Sequence, residues 1–465
     1  GSINNTGTVT NSGTGAGAET IGVVIGASVT GVTENSGTSA LTLSGGLVVN
    51  ATGTALTNSN ASGSSLLTVS GGVTGAGNLI LDNNSAIADG ITLSTTDVNN
   101  SGTITNSGTG SGVTLISAGI GTNVTGITEN SGTSTLTVSG PVAVNAAGTT
   151  LINSNASGSS LLTVSGGVTG AGNLILQNDS AIADGITLSG ATVNNTGTVT
   201  NSGTGAGVTL ISGGIGTNVT TVTENSGTSG LTISGPVAMN AAGTTLINSN
   251  ASGSSLLTVS GGTTGAGNLI LDNNSAIADG ITLSTAAVNN TGTVTNSGTG
   301  TGATLISGGI GTNVTAVTEN STTSALDITG PITVNATATT LTNANASGSS
   351  LLTVSGGVTG SGNLILDNNS AIVDGITLST TSVNNAGTIT NSGTGAGATL
   401  ISAGIGANVT GITENSTTSA LNITGAITVN AGGTTLTNAS GGSLLTASGG
   451  VTGTGNLILD NNSAT

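Results

Sequence analysis

Short phrases in which aliphatic residues alternate with threonine or serine run the whole length of the chain, separated by glycine, serine and asparagine. Across the second of its tandem copies they read Ile91-Thr92-Leu93-Ser94, Thr114-Leu115-Ile116-Ser117, Leu136-Thr137-Val138-Ser139, Leu162-Thr163-Val164-Ser165 and Ile186-Thr187-Leu188-Ser189. A side-chain period of two predicts strands with one buried face, and the β-branched Thr, Val and Ile suit that conformation. The clusters between them, such as Asn106-Ser107-Gly108-Thr109-Gly110, predict corners that use the positive φ open to glycine. Helical periodicity is absent, and glycine- and threonine-rich stretches make poor helices.

The phrases follow one another at spacings of 23, 22, 26 and 24 residues, and the whole set returns after 95. Val98-Asn99-Asn100 reappears as Val193-Asn194-Asn195, Val288-Asn289-Asn290 and Val383-Asn384-Asn385, with Ile3-Asn4-Asn5 one copy earlier. Self-similarity at a fixed period marks stacked architecture, in which each unit buries its apolar face against its neighbours. The expected fold is all-β: a parallel β-solenoid of about four windings per repeat. It is expected to run as one continuous solenoid over residues 1–465, with tandem copies at 3–97, 98–192, 193–287, 288–382 and an incomplete 383–465. At ~4.8 Å per winding, about twenty windings would make a rod on the order of 90–100 Å long. Gly1 is not a start residue, and the last copy stops at Asn461-Asn462-Ser463-Ala464-Thr465, so the chain reads as an excerpt of something longer.

Composition narrows the chemistry. The 465 residues include no Lys, Arg, His, Cys, Trp, Tyr or Phe, and the formal charge is −17. Without basic residues the chain has nothing to neutralise phosphates, which argues against nucleic acid and against anionic lipid headgroups. No apolar run approaches the ~20 residues of a spanning helix, and a membrane barrel would normally carry aromatic girdles, so direct membrane insertion is not expected. Lack of cysteine excludes disulfides and thiolate metal sites. For catalysis only a carboxylate pair of the glycosidase kind is left, and carboxylates present in five near-copies read as scaffold; no enzyme and no cofactor are expected. Glu34, Glu129, Glu224, Glu319 and Glu414 form one such column. Their spacing of roughly 19 Å exceeds the Debye length of about 8 Å, which predicts a dilute acidic surface that aids solubility.

Several motifs carry candidate chemistry. The acidic turn Leu81-Asp82-Asn83-Asn84-Ser85-Ala86-Ile87-Ala88-Asp89-Gly90 recurs with Asp272 and Asp279, then with Asp367 and Asp374. Oxygen-rich Asp/Asn turns suit Ca²⁺, but the spacing is that of neither an EF-hand nor a calcium roll. One copy has Gln177 in place of the first Asp, with Asp179 two places on. Two readings stay open: a structural turn with an asparagine ladder, and a weak calcium site. Thr-x-Thr pairs such as Thr103/Thr105 recur once per copy, too sparsely for an ice-binding array, and read as ordinary strand faces. Asn123-Val124-Thr125, Asn218-Val219-Thr220 and Asn313-Val314-Thr315 are glycosylation acceptors only in a host with that machinery. Pro141, Pro236 and Pro331 share a column with Gly46 and Ala426, which predicts a corner where no ladder N–H is needed. Met239 stands where other copies have Val144, Val334 and Val429, a core exchange.

The phrase Leu66-Leu67-Thr68-Val69-Ser70-Gly71-Gly72-Val73-Thr74-Gly75-Ala76-Gly77-Asn78-Leu79-Ile80-Leu81, repeated around 161–176, 256–271, 351–366 and 444–459, resembles the strand repeats of autotransporter passengers and other large bacterial surface adhesins. The resemblance implies a right-handed parallel β-helix exported to the cell surface, where such proteins project or assemble structures. The chain departs from those families in lacking every aromatic and basic residue. The expected role is an extracellular structural element, a filament, sheath or stalk segment that associates with itself. The alternative is an adhesin stalk or carbohydrate-binding surface.

Overall fold

A computed structural model describes residues 1–439 and 441–463; Ser440, Ala464 and Thr465 of the last copy lie outside the described residues. The described chain is all-β, without a helix, and its parallel sheets stack as a β-solenoid with turns about 24 residues apart. It divides into two compact units, Gly1–Val219 with Glu224–Ser234, and Thr220–Thr223 with Gly235–Thr465.

In the first unit each turn contributes to three parallel sheets. One holds the longer strands, such as Leu79–Asn83, Thr103–Asn106, Gly126–Glu129 and Thr149–Asn153. The second holds three-residue strands, including Ile91–Leu93, Thr114–Ile116, Leu136–Val138 and Leu162–Val164. The third shrinks in places to single bridges, Val73 to Val98 to Ile120 to Val142. Registers are parallel throughout: Ile91 pairs with Thr114, Thr114 with Leu136, and Leu136 with Leu162. Leu93, Ile116, Val138 and Val164 thus lie over one another, fully buried. The middle residue of each strand faces outward, so the period of two becomes a dry interior and a threonine-rich exterior.

The second unit repeats this arrangement. Ile281–Leu283, Thr304–Ile306, Leu326–Ile328 and Leu352–Val354 stack in the same order, and Leu283, Ile306, Ile328 and Val354 are buried. Met239 lies in this unit's core at 1% exposure. Carbonyls of Pro141 and Pro331 accept from Ile120 N and Ile310 N at 2.8 and 2.9 Å; each serves the ladder through its oxygen at a corner just outside a strand, where a missing N–H does no harm.

Two expectations change. In Thr114-Leu115-Ile116 the threonine points inward at 0% exposure while Leu115 faces out; the alternation holds but its polar member is inside. The glycines of Asn106–Gly110 do not use positive φ. A Cβ at Gly108 would lie 2.1 Å from the carbonyl oxygen of Asn83, one turn earlier, and a Cβ at Gly110 would lie 2.1 Å from that of Ser85. Glycine is required there because successive turns approach backbone to backbone, a different constraint from a left-handed corner.

Candidate functional site

The polar side chains repeated in every copy converge on one corner of the interior. Strand Gly126–Glu129 places Ile127 and Glu129 on the same inward face, two residues apart, and Glu129 is wholly buried. Its Oε2 accepts from Nδ2 of Asn106 on the preceding turn at 2.8 Å, and its Oε1 accepts from the Ser131 N–H at 2.6 Å. Asn106 also donates to the Ser134 carbonyl, and its Oδ1 accepts from Thr114 Oγ1 at 3.0 Å, which satisfies the inward threonine. Ser131 Oγ donates to the Gly108 carbonyl and accepts from Ser134 N at 2.7 Å. Local chemistry explains the geometry: Glu129 and Ser131 close a turn of the Asx kind one carbon longer, and the Ser131 hydroxyl caps the bend that follows.

The same set recurs with Asn11, Glu34 and Ser36, and with Asn201, Glu224 and Ser226, in the first unit. In the second unit it recurs with Asn296, Glu319 and Ser321, and with Asn391, Glu414 and Ser416. Every one of these glutamates is at 0% exposure, so the expected acidic surface is corrected: this column belongs to the core. No basic side chain exists anywhere to pair with it. Burial is the largest influence and raises the carboxyl pKa, against the lowering effect of the asparagine amide and the serine N–H. Glu129, Glu224 and Glu319 are pushed up to about 8 and Glu414 to about 7, while Glu34 is raised. A signal was present in the sequence, since Glu129 keeps the phase of Ile127 and stands 23 residues after Asn106. The rule that charged residues face water hid it.

Between these glutamate turns the corner is filled by buried asparagines. Asn153 Nδ2 donates to the Ser160 and Gly185 carbonyls at 3.0 and 2.7 Å, and Asn178 Nδ2 to those of Gly207 and Val208 at 2.8 and 3.1 Å. Such amides satisfy backbone groups that a bend leaves unpaired in a buried place.

The acidic turns lie elsewhere. Asp82 is on the outer face of strand Leu79–Asn83, half-buried, and Asp89 sits in the following turn with φ 56°. Asp279 and Asp374 adopt φ 55° and 56°, and Asp272 and Asp367 take the strand position of Asp82. The carbonyls of Asp89, Asp279 and Asp374 each accept from the threonine three residues on, at 3.0 Å. Among the described residues no three acidic side chains gather as metal ligands. The copy with Gln177 is explained by pairing: Gln177 Nε2 donates to Asp179 Oδ2, and Asp179 Oδ1 accepts from Thr204 N and Oγ1, the role Asn84 plays toward Thr109.

Thr103 and Thr105 flank inward Ile104 on a strand face, and Asn123, Asn218 and Asn313 are exposed in surface turns. Asp97, exposed, stands between two hollows lined by Gly71, Gly72 and Thr96 on one side and Gly119, Gly121 and Pro141 on the other; among the described residues no second ionisable side chain lines either. No family model matches the chain, no curated protein matches it, and no solved structure matches it.

Proposed function

We propose that this chain is an extracellular structural element, a filament, sheath or stalk segment whose work is done by the stack of turns itself. One observation carries the reading: Asn106, Glu129, Ser131 and Thr114 spend their hydrogen bonds on one another and on the neighbouring turn and are closed to solvent, as are their counterparts in the three later copies, while in the first copy exposed Glu19 stands in the place of Thr114. A carboxylate at 0% exposure does not meet a substrate, and a lone exposed Asp97 has no partner for acid–base work. The reading is therefore of a scaffold and not of an enzyme.

The resemblance to autotransporter passengers and surface adhesins supports an address at the cell surface and a bacterial source. Self-association fits parallel strand ladders, whose last unpaired edge accepts another strand wherever a stack stops. Electron microscopy of the purified chain, with antibody labelling of intact cells of the source organism, tests both halves of the proposal. Fibres and a surface label are expected; monodisperse particles with label confined to the cell interior would refute it. A glycan array run on the same material separates scaffold from carbohydrate-binding surface, since a scaffold gives no specific hits.

A further inference from the structure

Five carboxyl groups occupy the same interior position in successive copies, each hydrogen-bonded across two successive turns and none paired with a basic side chain, because the chain has no Lys, Arg or His. Removing a carboxylate from water without a counter-charge is among the most unfavourable steps in folding, and such a group ordinarily takes up a proton instead. We propose that the glutamate column is a pH-sensitive lock, holding the turns that carry it most firmly in acid and loosening them as the medium becomes alkaline.

The surroundings leave little else to titrate. Glu129 faces Asn106 on the preceding turn, Asn153 on the following one, and Ser131, Ser134 and Thr114 at the bend. Glu224 faces the same neutral kinds of group, Asn201, Ser226, Ser229 and Thr209, and Glu34 faces Asn11, Asn58, Ser36 and Ser39; in that first copy exposed Glu19 takes the place of Thr114 beside Asn11 and adds a second carboxyl. In the second unit Glu414 lies among Asn391, Asn438, Ser416 and Ser419. Glu319 differs: beside Asn296, Asn343, Ser321 and Ser324 it feels Asp327, whose charge raises it further. Asp327 is itself raised by burial, with Thr353 lowering and Asp279 raising it.

The direction of the effect follows from linkage. A carboxyl that ionises near 4.5 in the unfolded chain and near 8 in the folded one keeps its proton longer when folded. Between those two values the folded state binds more protons, so stability is complete below about 4.5, falls as pH rises, and levels off above about 8. Each such site weakens its local folding equilibrium on the order of a thousand-fold across the window.

The test uses the full chain. Urea unfolding midpoints are compared from about pH 5 to about pH 9 for the native sequence and for Glu34→Gln/Glu129→Gln/Glu224→Gln/Glu319→Gln/Glu414→Gln. The midpoint is expected to fall with pH in the first and to stay level in the second. Should the quintuple variant not fold, carbon-13 resonances of the glutamate side chains in the native sequence report the same quantity. Titration of buried glutamates near 7–8 supports the lock, and titration of all of them near 4.5, or a midpoint that rises with pH, overturns it.

Discussion

Replacing Gly108 by alanine tests the close approach of successive turns, because the structure fixes both the obstacle and a control. The added Cβ would meet the Asn83 carbonyl oxygen at 2.1 Å, and Gly203, Gly298 and Gly393 face the same 2.1 Å contact in their own copies. The obstacle is backbone, so relief requires the two turns to part by about 1 Å, which strains a packed interior by ~1–3 kcal/mol. The Ser107 N–H to Leu81 carbonyl bond at 2.9 Å and the Gly110 N–H to Asn83 carbonyl bond at 3.0 Å span the same gap. Stretching them adds about 0.5–1 kcal/mol each, for a total of about 2–5 kcal/mol. Gly132 is the control. Nothing lies within 4 Å of a Cβ built there, and Thr322 and Thr417 occupy the corresponding place in later copies. Gly132→Ala is expected to be neutral or to stabilise by ~0.4–1 kcal/mol through the unfolded chain. Native-state hydrogen exchange at the Ser107 and Gly110 amides reads the difference locally, and ~2 kcal/mol lowers protection about thirty-fold. Equal protection in Gly108→Ala and the native chain would refute the argument, as would a destabilised Gly132→Ala.

Other substitutions probe the remaining corners and the acidic turns. Thr95 holds φ 69° where another copy places Gly190 at φ 73°. A β-branched residue in that region costs ~1–2 kcal/mol and glycine returns ~0.5–1 kcal/mol of that as chain entropy, so Thr95→Gly is expected to stabilise the chain by a net ~0.5–1 kcal/mol, read as a higher urea midpoint. Asp89 at φ 56° tolerates a left-handed backbone better than alanine does; Asp89→Ala is expected to lose ~1 kcal/mol and Asp89→Asn almost nothing. If the acidic turns are structural, calcium and a chelator leave the native midpoint unchanged; a calcium-dependent rise that Asp89→Asn abolishes would establish a metal site instead.

The 95-residue period, the two-residue alternation and the punctuation by glycine and asparagine specify an all-β stack from the sequence, because strand faces and corner residues are local properties. The proline corner and the buried Met239 were legible for the same reason, since copies aligned with one another expose a position's tolerance. What lay beyond reach depends on the turn above and the turn below. Thr114 points inward because Asn106 Oδ1 is there to accept its hydrogen bond, and Glu129 because the Asn106 amide and the Ser131 N–H donate to its oxygens. Gly108 is glycine because Asn83 of the preceding turn occupies the space a side chain would need. Composition counts carboxylates but is blind to their partners, so it assigned the glutamates to the surface; stacking put them in the core, where solvation and not sequence spacing governs their charge.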